Sequence, residues 1–263
     1  MTEFNQYVPG TFNWVDLATT DTEAAKKFYT GLFGWSFADL PAGESMVYTM
    51  LYLDGKDVAG LGQLAEEQQA QGIPPHWMSY VSVTSADEVA KKVKALGGQV
   101  IMEPFDVLDS GRMAVIQDPT GAMLSLWQPR THIGARVANV PVSLSWNELA
   151  TTDTAEAGRF YSQLFDWEMQ VNESGPMIYT TFINQGRMNA GMMKIPADWG
   201  NIPPHWLVYF AVAGCKQSAE KAQALGATVL VPPTDAGDVG RFAVIQDPQG
   251  AVFAIIEMKS SLN

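Results

Sequence analysis

At 263 residues, 47% hydrophobic and 17% charged, the chain is long enough for two domains with real cores and too apolar to be disordered. A formal net charge of −12 argues against nucleic acid as a partner, because binding phosphate needs a basic surface. A single cysteine, Cys215, excludes an internal disulfide framework and any cysteine-rich zinc site; the apolar stretches fall far below the ~20 residues of a membrane helix, and the N-terminus lacks a signal-peptide pattern, so a cytoplasmic protein with no membrane partner is expected.

The first predicted element is a strand from Trp14 to Thr19, with Trp14, Asp16 and Ala18 on one face and Val15, Leu17 and Thr19 on the other. Asp21 stands where a helix N-cap is wanted. Ala24, Phe28, Leu32 and Phe33 form the apolar stripe of the following helix, and Gly34 ends it. Met46–Leu53 and Val58–Leu64 are strand-like and are parted by the turn signal Asp54-Gly55. Trp77–Thr84 is the next strand. A helix capped by Ser85 or Asp87 and carrying Val89, Val93 and Leu96 stops at Gly97-Gly98. Strand-like runs follow at Gln99–Met102, Met113–Gln117 and Ala122–Gln128.

The series then starts again. Trp14 to Thr22 returns 132 residues later as Trp146 to Thr154, and Phe28-Tyr29 and Leu32-Phe33-Gly34-Trp35 return at the same offset. Ile73-Pro74-Pro75-His76-Trp77 returns 129 residues later as Ile202 to Trp206. Gly111-Arg112 and Gln117-Asp118-Pro119 return at 129 as Gly240-Arg241 and Gln246-Asp247-Pro248. Four ordered blocks with one consistent three-residue gap define a tandem duplication. The expected fold class is α+β: four βαβββ units in two tandem domains, residues 1–131 and 132–263, with Gln128 to Val140 as the connection.

The unit, with its Asp-capped Phe-Tyr helix ending in Leu-Phe-Gly-Trp and its Asp118-Pro119-Thr120-Gly121 or Asp247-Pro248-Gln249-Gly250 turn, resembles the vicinal oxygen chelate superfamily of glyoxalases, bleomycin-resistance proteins and extradiol dioxygenases. The resemblance implies glyoxalase-like domains whose paired units curl into cup-shaped mixed sheets. It also implies that the enzymes hold a divalent metal on the inner face with His, Gln or Glu. One ligand position, seven residues before the capping Asp, falls on Trp14 and Trp146. A second, in the last strand, falls on Ser125 and Ala254. The inner position of each middle strand falls on about Met78 and Leu207. None of these is a usual ligand for such a metal, so no metal and no cofactor is expected. A relocated site would draw on Asp16 or Glu148 with His76 or His205, which alternation places on the same side. The plainer expectation for the histidines is a local hydrogen bond after the Pro-Pro turn, and for the carboxylates a pairing with Arg112 or Arg241.

Arg112 and Arg241 each follow a glycine and open a strand, where they tie the strand end or clamp a ligand at the cup rim. Trp35 and Trp167 end helices and belong to the core; Trp14 and Trp146 offer flat walls with an N–H handle. Cys215, without a counterpart in the first copy, is incidental.

The expected function is metal-independent binding of a small aromatic or cationic organic molecule, in sequestration or resistance, by a monomer or homodimer with two pockets per chain. The first alternative is a glyoxalase-like lyase or isomerase, or a hydroxylase-like enzyme, with Asp16 or Glu148 as acid/base residue. The second is a non-catalytic interaction scaffold.

Overall fold

The computed structural model describes residues 3–43, 46–173 and 178–259. The first half runs β1 (Phe12–Thr19), α1 (Thr22–Phe33), β2 (Ser36–Pro41), β3 (Val47–Leu53), β4 (Lys56–Gln63), a short α2 (Glu66–Ala70), β5 (His76–Ser82), α3 (Ala86–Ala95), β6 (Gln99–Val107), β7 (Gly111–Gln117) and β8 (Met123–Pro129). The second half repeats the order: β9 (Leu144–Thr151), α4 (Thr154–Phe165), β10 (Glu168–Asn172), β11 (Tyr179–Asn184), β12 (Arg187–Lys194), β13 (His205–Ala211), α5 (Cys215–Ala224), β14 (Thr228–Asp235), β15 (Gly240–Gln246) and β16 (Val252–Met258). A 3-10 turn at Ala197–Trp199 occupies the place of α2. The α+β class and the four βαβββ units are as the repeat indicates. β2 and α2, which the apolar pattern does not announce, complete the first unit and bridge to the second.

Local chemistry sets the element ends. The Asp21 carboxylate accepts the Ala24 amide at 2.9 Å, and Asp153 accepts those of Ala155 and Glu156, so both Phe-Tyr helices start on a side-chain cap. Gly34 closes α1 in the left-handed region at φ 74°, and Asp166 takes that role for α4 at φ 59°. Asp54 and Gly55 both have positive φ, as a two-residue hairpin requires.

Each half forms one eight-stranded mixed sheet, in the orders β2-β3-β4-β1-β5-β8-β7-β6 and β10-β11-β12-β9-β13-β16-β15-β14. Val15 and Leu17 of β1 and Leu149 of β9 pack with helix residues, and the helix-bearing faces of the two sheets meet. One buried core joins Val15, Leu17, Phe28, Tyr29 and Trp77 of the first half to Val208, Phe210, Ala219 and Phe253 of the second. The other joins Val81, Val93 and Leu124 to Phe160, Tyr161 and Trp206. Burial at these sites rests on apolar area removed from water, with each tryptophan N–H given an acceptor. Trp35 Nε1 donates to the Val142 carbonyl at 2.7 Å, and Trp167 Nε1 to that of Gly10 at 2.8 Å. Tyr29 Oη crosses between halves to donate to Asp247 Oδ2 at 2.8 Å. The opposite faces, carrying Trp14 and Trp146, look away from this shared core. Among the described residues no helix is long and apolar enough to cross a membrane.

Candidate functional site: a Trp–Tyr–carboxylate–Tyr network in each concave face

Strand register decides which side chains share the concave face. Trp14 pairs with Tyr80 across β1 and β5, and Tyr80 pairs with Ser125 across β5 and β8. Asp16, one pleat along, lies opposite Met78 on one side and Gly60 on the other. The second half gives the row Trp146, Tyr209 and Ala254, with Glu148 opposite Leu207 and Gly191. The row that holds Trp14 and Ser125 therefore runs through Tyr80, and that of Trp146 through Tyr209. Met78 and Leu207, the expected middle positions, sit one pleat away beside the carboxylates.

Hydrogen bonds join these residues into the same network twice. Tyr48 Oη and Tyr80 Oη both donate to Asp16 Oδ2, at 3.2 and 2.8 Å, and Trp14 Nε1 donates to Tyr48 Oη at 3.0 Å. In the second half Tyr179 Oη donates to Glu148 Oε2 and Tyr209 Oη to Oε1, each at 2.8 Å, and Trp146 Nε1 donates to Tyr179 Oη at 3.0 Å. Glycine makes room for it. A Cβ on Gly60 would lie 1.8 Å from Tyr48 Oη, and one on Gly191 would lie 1.8 Å from Tyr179 Oη. The missing side chain lets each tyrosine lie across the neighbouring strand and reach the acid.

The surroundings set the electrostatics. Burial pushes the Asp16 carboxyl up to about 6, against the pull of the two tyrosine hydroxyls that stabilise its anion. Burial likewise raises Glu148, opposed by Tyr179 and Tyr209. Burial and the adjacent carboxylates hold the hydroxyls of Tyr48, Tyr80, Tyr179 and Tyr209 well above the usual phenol range. These phenols are donors at neutral pH. Both acids remain partly accessible from the open side.

The donor set does not suit a divalent metal. The rows contain Trp14, Tyr80 and Ser125, or Trp146, Tyr209 and Ala254. A tyrosine must ionise to bind such a cation, and its environment here opposes that. Among the described residues no three His, Cys, Asp or Glu side chains cluster as a metal site requires. His76 and His205 are turned to their own loops: each Nδ1 lies 2.9 Å from the carbonyl of Pro74 or Pro203.

The arginines are not where the sequence suggests. Arg112 forms a bidentate pair with Asp87 on α3, at 2.7 and 2.9 Å, and a further bond to Asp106 at 3.0 Å. Its neighbour Met113 packs in the Trp14 cluster, so alternation turns Arg112 to the helix side. Arg241 is exposed and sits opposite Glu257 in the register of β15 and β16, while Phe242 packs with Trp146. Neither arginine lines the concave face, and the partners of Asp16 and Glu148 are tyrosines. Cys215 is buried, and its thiol is pushed up to about 11, which leaves little thiolate. Two surface depressions of about 400 and 410 Å3 lie outside the concave faces, beside Lys194 and Ile202 and beside Pro141 and Gln217.

The tyrosines and glycines of the network escape the motif reading, although the repeat carries them. Tyr80 returns as Tyr209 at an offset of 129, and Tyr48 and Gly60 return as Tyr179 and Gly191 at 131. What the sequence lacks is the cross-strand register that places them over an acid.

Two tandem pairs of βαβββ units, each curling around a polar cluster on its concave face, define a class of small-molecule-handling α+β proteins. The chain belongs to the Glyoxalase/Bleomycin resistance protein/Dioxygenase superfamily, whose model matches residues 11–126 and 142–255. It is 43% identical to the protein named "Putative glyoxylase CFP32" of Mycobacterium bovis, over 98% of each chain. It is 34% identical to "Anthracycline biosynthesis protein DauV" of Streptomyces sp. (strain C5), over 97% of this chain and 96% of that one. Among solved structures, the Mn(II)-bound glyoxalase from Novosphingobium aromaticivorans aligns with a TM-score of 0.66 at 17% identity, covering 95% of this chain and 82% of that one. The 2,3-dioxygenase LapB from Pseudomonas sp. KL28 aligns at 0.64 and 12%, covering 95% and 93%. At those identities the two structures speak for the fold alone.

Proposed function

We propose that the chain is a metal-independent binding protein for a flat aromatic molecule with a hydrogen-bond donor or cationic group, acting in sequestration or resistance in the cytoplasm. One observation carries the reading. At the positions that the family resemblance assigns to metal ligands this chain has Trp14 and Trp146, Ser125 and Ala254, and about Met78 and Leu207, and the nearby carboxylates accept hydrogen bonds from tyrosine hydroxyls. The indole of Trp14 or Trp146 supplies a wall for a ring, and Asp16 or Glu148 accepts a proton donor or balances a cation. Met78 and Leu207 line the floor beside the acids, and Ser125 and Ala254 close the row of the tryptophans. The anthracycline name of a relative supports a flat polycyclic ligand. The test has two measurements on protein purified without tag or chelator. Metal analysis should find no stoichiometric divalent ion, and tryptophan fluorescence should be quenched in saturable fashion by aromatic cations. A stoichiometric metal removes metal independence, and the absence of any saturable quenching removes the binding reading.

A second reading has its own support. A carboxyl at about 6 inside an apolar cup is poised to take a proton near neutral pH, as a lyase, isomerase or hydroxylase-like enzyme needs of Asp16 or Glu148. The glyoxylase name of a relative points the same way. Turnover of an α-oxoaldehyde adduct or an enolisable aromatic, lost on Asp16→Asn together with Glu148→Gln, would favour catalysis over binding.

A further inference from the structure

The two concave faces differ in what stands on their tryptophans. In the first, the connection between the halves folds back over β1. The His132 ring meets Trp14 edge-on, with centroids 4.6 Å apart and planes at 85°, and meets Trp127 at 5.8 Å and 72°. Trp127 Nε1 holds the His132 carbonyl at 2.8 Å. Asn13 Nδ2 holds the Ile133 carbonyl at 2.8 Å, and the Ala135 amide donates to the Asn13 carbonyl at 2.7 Å. Gly134, at φ +105°, lies so close to β1 that a Cβ there would be 2.3 Å from the Asn13 carbonyl oxygen. The result is a Trp14 only 3% exposed. His132 Nε2 is buried in this place with no hydrogen-bond partner, and its Nδ1 lies 3.7 Å from Asp57 Oδ2.

The second face keeps the polar network, and among the described residues no segment lies over its tryptophan in this way. The strand position of Trp127 is Ile256, which has no side-chain N–H to hold a returning chain. Trp146 is partly exposed, and among the described residues no ring packs on it as His132 packs on Trp14.

We infer that the second cup alone takes the ligand, one molecule per chain, and that His132 stands on Trp14 where the ligand's ring stands on Trp146. The chain thus carries in its first half a likeness of the contact it makes in its second: a flat ring, edge-on to the indole, next to the tyrosine-bound acid. This rests on the binding reading above. It departs from the two pockets per chain that the duplication alone suggests.

Two measurements separate the inference from the reading beneath it. The first needs no ligand. N-bromosuccinimide oxidises accessible indoles, and peptide mass spectrometry reports the order. Trp146 should be oxidised several-fold faster than Trp14, and His132→Gly should speed Trp14 while leaving the rate at Trp146 unaltered. Equal rates in the native chain overturn the inference. The second is calorimetric titration of the full chain with daunorubicin, a flat anthracycline bearing an ammonium group. One site per chain is expected, lost on Trp146→Ala, with a second site appearing in His132→Gly. Two sites in the native chain, or one that survives Trp146→Ala, overturn the inference and leave the binding reading standing. No heat from either the native chain or His132→Gly counts against the binding reading, and the oxidation order still decides which cup is open.

Discussion

The two concave faces share a polar network and differ in the walls around it. Trp, Tyr and Tyr recur in both, and the acid changes only from Asp16 to Glu148. Asp16 takes both hydroxyls on one oxygen, whereas the longer Glu148 takes one on each. Around them Met113 stands where the second half has Phe242, and Trp127 where it has Ile256. Buried polar groups cannot drift one at a time, because each loss strands a partner at a cost of ~1–3 kcal/mol. Apolar walls can drift if volume is roughly kept. The two halves thus share the network and differ in the walls, and in the first the connecting segment lies on the tryptophan.

The largest expected contrast comes from the tryptophans. Trp14→Ala empties a covered site and should cost ~3–5 kcal/mol of stability. Trp146→Ala, at a partly exposed site, should cost less than half of that in urea unfolding. Similar costs in the two variants would break the comparison, since they would place Trp146 in a core as closed as that of Trp14.

Next are the glycines. Gly60→Ala and Gly191→Ala each force a tyrosine off the acid and should cost ~1–3 kcal/mol. Gly191→Ala should be the worse of the two, because its Cβ would also lie 2.9 Å from Trp146 Nε1. A thermal midpoint unchanged in both variants would show that the tyrosines reach the carboxylates without this clearance.

The acids give a pH test. The folded-state carboxyl of Asp16, about 6, lies above its ordinary 3.8, so the folded chain holds this proton more tightly than the unfolded one. The favourable contribution is complete below about pH 4 and is lost as pH rises through about 6. The amide that Asp16→Asn introduces keeps an acceptor oxygen for both tyrosines and has no charge to bury. For a fully buried group, holding the proton that much more tightly is worth ~3 kcal/mol. Partial exposure of Asp16 reduces the expected gain from Asp16→Asn at about pH 7.5 to ~1–2 kcal/mol. Glu148→Gln should gain in the same direction, since burial raises that carboxyl too, and Asp16→Asn should flatten the stability profile across this window. A variant less stable than the native chain under those conditions would mean that the carboxylate is welcome in its site.

The fold was legible because a duplicated sequence states its own boundaries: Asp21 and Asp153 cap matching helices, and two Asp-Pro-x-Gly turns precede matching strands. Half of the site was legible too, since the repeat places Trp14, Trp146, Asp16 and Glu148 on one face by alternation alone. The rest depended on register. Trp14 faces Tyr80, with Met78 opposite Asp16 one pleat along, because of the register in which β5 pairs with β1, and no local pattern encodes that register. Arg112 was misplaced for a related reason, since its face follows from the inward packing of Met113. His132 lies in a connection without periodicity, so only the folded chain reveals that it packs on Trp14.

The smallest expected effect sharpens the comparison most finely. Trp127→Phe keeps an aromatic ring on the first cup and deletes only the N–H that holds the His132 carbonyl. Loss of one such bond near the rim should cost ~0.5–1.5 kcal/mol, because water can reach the freed carbonyl. The structural consequence should exceed the energetic one. Residues 130–136 should exchange their amide hydrogens faster, the Ala135 amide above all, since its bond to the Asn13 carbonyl depends on the segment lying flat. The amides of β9 and β13 around Trp146 should not change. If the segment keeps its protection in Trp127→Phe, its seat is fixed by Asn13 and Gly134. The Trp-to-Ile difference between the halves would then be a consequence of the covered cup rather than its cause.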